Sequence, residues 1–141
     1  VTEVREHCEL GESAPRVWKL ISDFEGFIQL LVAPRGGKVE TEGAGVGMTR
    51  TVTVDGERVV ERLDVLDESR WRTTYSMVVT GPFPVTGYQA TITLHPRGGS
   101  RCALDWEGSF IPAGASERAA ADAVRAVYLE GIALMRQRFG S

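Results

Sequence analysis

The spacing of hydrophobic positions changes period several times along the chain, and each change marks an element. Residues 2–10 alternate, with Val4, Cys8 and Leu10 on one side and Arg5, His7 and Glu9 on the other. A period of two with one apolar face predicts a half-buried strand. Ser13 then offers an N-cap with Pro15 in the first turn, and Val17, Trp18, Leu20 and Ile21 follow at helical spacing. Asp23 is placed to cap a second short helix running through Gln29 to Val32. A glycine-rich stretch, Gly36 to Gly47, brackets a short strand at 38–41. From Met48 the period is two again, predicting strands over 48–54, 58–66, 70–80, 88–95 and 101–111. Turn chemistry separates them: Asp55-Gly56, Asp67-Glu68-Ser69, Gly81-Pro82-Phe83-Pro84 and Pro96-Arg97-Gly98-Gly99. Ser116 and Glu117 open a long helix reaching about Phe139.

The order is strand, two short helices, six strands, long helix, an α+β pattern. A lone long helix after a meander must bury its apolar stripe. The concave face of a twisted seven-stranded antiparallel sheet is the surface available.

Alternation assigns that inner face. On 58–66 it reads Val59, Glu61, Leu63 and Val65; on 48–54 it reads Met48, Arg50, Val52 and Val54. Glu61 and Arg50 are the charged intruders, and a hairpin through Asp55-Gly56 brings them together. A buried charge is costly unless paired, so they form either a structural ion pair or the polar end of a pocket. Trp71, Thr73, Tyr75, Met77 and Val79 continue the lining, followed by Tyr88, Ala90, Ile92 and Leu94, then by Cys102, Leu104, Trp106 and Phe110. The closing helix offers Ala120, Val124, Val127, Tyr128, Gly131 and Leu134 at helical spacing. Arg118, Asp122, Arg125 and Arg136 form its solvated face, with Arg118 and Asp122 at i, i+4. Gly131 in mid-helix serves either close packing or room for a ligand. Tyr75, Tyr88 and Tyr128 bring hydroxyls that need partners to a mostly apolar interior.

Composition narrows the function. The 141 residues fit one domain over 1–141, with 43% hydrophobic and 25% charged residues. A net charge of −3 gives no global attraction to nucleic acid. No apolar run approaches the roughly 20 residues of a membrane span. The start VTEVREHCEL has no apolar signal-peptide core, so a cytoplasmic location is expected. Cys8 and Cys102 read as buried free thiols, with a disulfide open if their strands pair. Gly43-Ala44-Gly45-Val46-Gly47 is a turn between strands, since no helix follows as a dinucleotide loop requires. His7 and His95 lack metal-ligand spacing, and neither a nucleophile elbow nor a P-loop occurs. No metal and no cofactor is called for.

The run Val60-Glu61-Arg62-Leu63-Asp64-Val65-Leu66-Asp67, with Gly87-Tyr88 and Thr93-Leu94-His95-Pro96, resembles the START-like polyketide cyclase/dehydrase and lipid-transport superfamily. Within it the chain is similar to the plant abscisic-acid receptors and their bacterial relatives. The resemblance implies a helix-grip fold, a seven-stranded curved sheet holding one long C-terminal helix over a pocket. It implies that Glu61 matches a glutamate holding ligand-bound water and Arg50 a pocket arginine. Tyr88 and Ala90 match a tyrosine and a serine facing the ligand, and Tyr128 a helix asparagine. Arg35, counted back from Val46-Gly47, matches the lysine that binds the ligand carboxylate. Phe83-Pro84-Val85 falls on the loop that latches the pocket mouth. The receptors' gate loop is replaced by the bare turn Val54-Asp55-Gly56-Glu57, and the latch His-Arg pair by Phe83-Pro84, so hormone-gated phosphatase binding is not expected.

Three functions follow as expectations. The first is binding of a hydrophobic small molecule (lipid-, polyketide- or aromatic-acid-like), with an anion site at Arg35 and Arg50. Tyr88, Trp106, Phe83 and Tyr128 hold the body, and Glu61, Tyr75 and Val124 complete the expected ligand-binding set. The second is a polyketide aromatase/cyclase or dehydratase, with Glu61 as base, Tyr88 or Tyr128 as acid and Arg50 stabilising an enolate. The third is a protein-interaction module anchored by Phe83 at an exposed loop tip. A homodimer is left open. A carrier is expected to hold Glu61 in a closed pair with Arg50, and an enzyme to hold it unpaired near a tyrosine hydroxyl.

Overall fold

The computed structural model describes residues 1–141. Its elements are β1 (Thr2–Leu10), α1 (Ala14–Ile21), α2 (Phe24–Val32), a 3-10 turn (Ala33–Arg35), β2 (Lys38–Glu42), β3 (Thr49–Val54), β4 (Glu57–Asp67), β5 (Arg72–Val79), β6 (Val85–Pro96), β7 (Cys102–Pro112) and α3 (Glu117–Phe139). The strands form one antiparallel sheet in the order β1-β7-β6-β5-β4-β3-β2. This is the α+β helix-grip architecture that the pattern predicts. Helix α3 packs mainly on the β1 edge, while α2 covers β2 and β3 at the other edge. The concave surface between them is left for a cavity.

Local chemistry explains most boundaries. Asp23 accepts from the Gly26 amide at 2.9 Å and starts α2. Ser116 does the same for α3, accepting from Ala119. Ser13 takes the cap position of α1 through its backbone alone, without a side-chain bond. Asp55 and Gly56 both have positive φ, 52° and 77°, as a two-residue hairpin turn demands. That turn sets the β3–β4 register and places Arg50 opposite Glu61.

Simple alternation fails in two places. The β4–β5 register shifts between Leu63 and Val65, so Val65 turns outward at 40% exposure while Leu66 packs on the core. A second shift, between Val60 and Glu61, pairs Val79 with Val60 and leaves Val79 on the surface. A bulge adds one residue to one strand and inverts every face beyond it. On α3 the buried stripe ends in Ile132 and Met135, with Leu134 partly exposed. Arg118 and Asp122 do not pair; Asp122 instead meets Arg125 at 3.7 Å, and Arg125 reaches Glu6 on β1 at 3.3 Å.

Cys8 and Cys102 are free and buried, on the neighbouring strands β1 and β7. Burial pushes the Cys8 thiol up to about 11, so it is protonated and inert at neutral pH.

Gly131 is buried where α3 crosses Trp106. A Cβ there would stand 2.7 Å from Trp106 Cζ3 and 3.0 Å from Cη2. The glycine therefore serves close packing of helix on ring. Gly131→Ala improves helix propensity by about 1 kcal/mol, yet the forced shift of a packed indole costs about 1–3 kcal/mol. We expect a lower urea midpoint for this variant; a midpoint equal to or above the parent's would refute the close-packing role.

On the outer face His7 Nδ1 meets Asp105 and Nε2 meets Glu9, both at 2.7 Å, and both nitrogens donate when the ring is protonated. His95 meets the other oxygen of Asp105 at 2.8 Å, and Arg97 meets Glu9 at 3.4 Å. Bonds to Asp105 and then Glu9 raise the His7 pKa above its ordinary 6.5. A raised folded pKa gives stability that is complete below 6.5 and lost as pH rises through the folded value. The ring is half exposed, so the effect is about 1 kcal/mol or less. His7→Gln is expected to destabilise the protein at mildly acidic pH and to become neutral in alkali, read from melts at several pH values. A difference that persists unchanged into alkali would remove the charge-based account.

Candidate functional site

A cavity of about 310 Å³ lies between α2, α3 and the strands β3 to β7. Fourteen of its twenty-one lining residues are hydrophobic, so its body suits an apolar molecule. Helix α2 supplies Phe27, Ile28 and Leu31 because its apolar face turns toward the sheet. Helix α3 supplies Val124, Val127 and Glu130, a stripe beside the one that packs on the sheet. Pro82 and Phe83 come from the stiff loop between β5 and β6. Phe83 is half-buried against the core, not an exposed anchor.

The deep polar end is the Arg50–Glu61 pair. The side chains are 4% and 8% exposed, with Arg50 Nε donating to Glu61 Oε1 at 2.9 Å. Arg50 Nη1 donates to the Phe24 carbonyl at 2.7 Å, tying β3 to the start of α2. The guanidinium also lies 3.9 Å from the Phe24 ring centre and 5.0 Å from that of Tyr75. Two hydrogen bonds and two aromatic faces offset the cost of burying this cation.

Beside the pair runs an aromatic chain. Trp106 Nε1 donates to the Tyr75 hydroxyl at 3.2 Å, and the Tyr88 and Tyr128 hydroxyls share a hydrogen bond of 2.5 Å. Trp106 stacks on Tyr128 at 4.5 Å. Gly108 on β7 leaves the space for the Tyr128 hydroxyl, since a Cβ there would be 2.1 Å away. Burial, above all, pushes the hydroxyls of Tyr75, Tyr88 and Tyr128 far up, and the Glu61 charge adds to each. All three stay protonated at neutral pH and cannot act as bases.

At the mouth, Arg35 Nη2 meets Glu130 Oε1 at 2.6 Å, both side chains largely exposed. Asp55 and Glu57 of the β3–β4 hairpin complete the rim. Of the residues singled out from the sequence, Arg35, Arg50, Glu61, Tyr75, Phe83, Tyr88, Trp106 and Val124 line the cavity. Tyr128 stands behind Tyr88 and does not reach it. Arg35 and Arg50 are each held by their own carboxylate. Sequence reasoning missed Ile28 and Leu31, whose signal was the apolar period of α2. It also missed Glu130, which reads as a solvated helix residue until the 3-10 turn is placed beside it.

No group of three or more His, Cys, Asp or Glu side chains is arranged to hold a metal ion. No helix is long and apolar enough to cross a membrane.

Known proteins agree on the architecture. The chain is similar to the protein XoxI from Bacillus cereus, at 27% identity over 99% of this chain and 96% of that one, with a TM-score of 0.86. It shares its fold with norcoclaurine synthase from Thalictrum flavum, solved with dopamine and hydroxybenzaldehyde (21% identity, 99% and 88% coverage, TM-score 0.75). The same holds for the Zhui aromatase/cyclase from Streptomyces sp. R1128 (20% identity, 94% and 87% coverage, TM-score 0.73). No curated protein matches the chain. The family model for polyketide cyclase / dehydrase and lipid transport matches residues 2–140, and the chain belongs to that family.

Proposed function

We propose that the protein, as one domain over residues 1–141, binds a small and largely apolar molecule in the cavity beneath α3. The observation that carries this reading is the cavity itself: about 310 Å³, apolar walls, and a hydrogen-bonded Arg50–Glu61 pair at its deep end. That volume lies at the small end of the range for ligand sites. Tyr75 and Tyr88 supply hydroxyls that orient the guest, and Phe83 covers it at the rim.

The pairing favours binding over catalysis. A general base must take up a proton from the substrate. Glu61 is the counter-charge of a buried arginine, so protonating it would leave that cation uncompensated, and the neighbouring tyrosines keep their own protons. The two enzymes above share only the fold at 20–21% identity, and fold alone does not carry chemistry.

The test is native mass spectrometry of the purified protein, followed by denaturation and identification of any released molecule. Val59 lines the cavity from β4 and is only half-buried, so Val59→Trp fills the space without disturbing the core. The expected result is a bound apolar molecule in the parent that is lost in the folded variant, with circular dichroism unchanged. Retention of the same molecule by Val59→Trp, or an empty parent with no thermal shift across lipids, polyketides and aromatic compounds, would overturn the reading.

A further inference from the structure

The charges around the cavity are unequal, and their arrangement bears on which molecules fit. The lining holds two guanidiniums, Arg35 and Arg50, and four carboxylates, Asp55, Glu57, Glu61 and Glu130. Each arginine is matched by an acid at hydrogen-bond distance, Arg50 by Glu61 and Arg35 by Glu130. Asp55 and Glu57 remain, both exposed at the rim and without a cationic partner. A guest passing the mouth therefore meets surplus negative charge.

The deep end tells the same story in hydrogen bonds. Arg50 uses Nε and Nη1, and Glu61 uses Oε1. Arg50 Nη2 and Glu61 Oε2 make no hydrogen bond within the protein. Neither is among the sealed, unsatisfied atoms of the interior, where Trp18 Nε1 stands alone. Both residues line the cavity, so a donor and an acceptor of one jointly neutral pair remain available to a guest. An anion placed there gains one bond from Arg50 but sits against Glu61 in a low-dielectric interior, where like charges repel most. A group that both accepts and donates satisfies the two atoms without adding charge.

Resting on the binding role proposed above, we infer that the cavity selects an uncharged alcohol, phenol, enol or carboxamide carried on a compact apolar or aromatic body, and rejects the corresponding carboxylate. The hydroxyl or amide accepts from Arg50 Nη2 and donates to Glu61 Oε2. The apolar body lies against Val52, Val59, Met77 and Val124. This specificity replaces the anion site expected at Arg35 and Arg50, because each cation is already neutralised.

The experiment is calorimetric titration of the whole chain at neutral pH with 2-naphthol, 2-naphthamide and 2-naphthoate, three probes of one body and different heads. The alcohol and the amide are expected to bind at least about tenfold more tightly than the acid, as like-charge repulsion requires. Glu61→Gln leaves Arg50 without its counter-charge and is expected to turn the preference toward naphthoate. Since that variant disturbs a buried pair, the exposed Glu130→Gln is measured beside it. It frees Arg35 at the rim and is expected to narrow the discrimination while the protein stays folded. Naphthoate binding as tightly as naphthol to the parent would overturn the inference and leave the binding role intact. If no probe binds, the co-purified molecule decides: a neutral guest displaced by Val59→Trp supports the inference and an anionic one overturns it. An empty protein that binds no probe overturns both.

Discussion

The contact between Gly131 and the Trp106 ring governs how far α3 descends onto the sheet. The distance at which a helix packs on its neighbour is set by the side chains at the contact. With no Cβ at Gly131, α3 settles onto the indole, and Ile132, Met135, Tyr128 and Ala120 are carried into the core with it. The helix can press its main stripe on β1 and β7 and still present Val124, Val127 and Glu130 obliquely over the other half of the sheet. The cavity is the consequence. It is the part of the concave face that α3 overhangs but does not touch, closed from the opposite edge by α2.

Within that frame each arginine of the lining is matched by its own carboxylate. A guanidinium at 4% side-chain exposure persists because Glu61, the Phe24 carbonyl and two aromatic faces surround it. The Phe24 contact matters beyond energetics, because it locks the first turn of α2 to β3. The same arginine that marks the polar end of the cavity also holds its wall in place. Tyr128 plays a comparable double part: it stacks on Trp106 and bonds the Tyr88 hydroxyl, fixing two residues of the floor without lining the cavity.

Elements with a strong local signal were legible in the sequence. The period-two runs, the Asp23 and Ser116 caps and the Asp55-Gly56 turn determine strand order and the β3–β4 register, and with them the meeting of Arg50 and Glu61. The apolar stripe of the closing helix, which must be buried, added its placement over the concave sheet. What alternation could not see were the bulges near Glu61 and at Leu63–Val65, because an extra residue leaves the apolar content of a strand unchanged while reversing its faces. The Arg35–Glu130 pair was equally hidden. The two residues lie 95 positions apart, and nothing short of the folded approach of the 3-10 turn to α3 brings them together.

That hidden pair changes the chemistry of the site more than any residue that was foreseen. Read along the chain, Arg35 and Arg50 are two cations near one pocket and point to an anionic head group. Read in space, each cation has a carboxylate within 3 Å, and the surplus charge of the lining is negative. The sign of a binding site is a property of its compensated groups, and compensation is a tertiary fact. A family defined by its fold need not share a ligand class. In the present cavity Glu61 and Glu130 each stand within hydrogen-bond reach of one arginine.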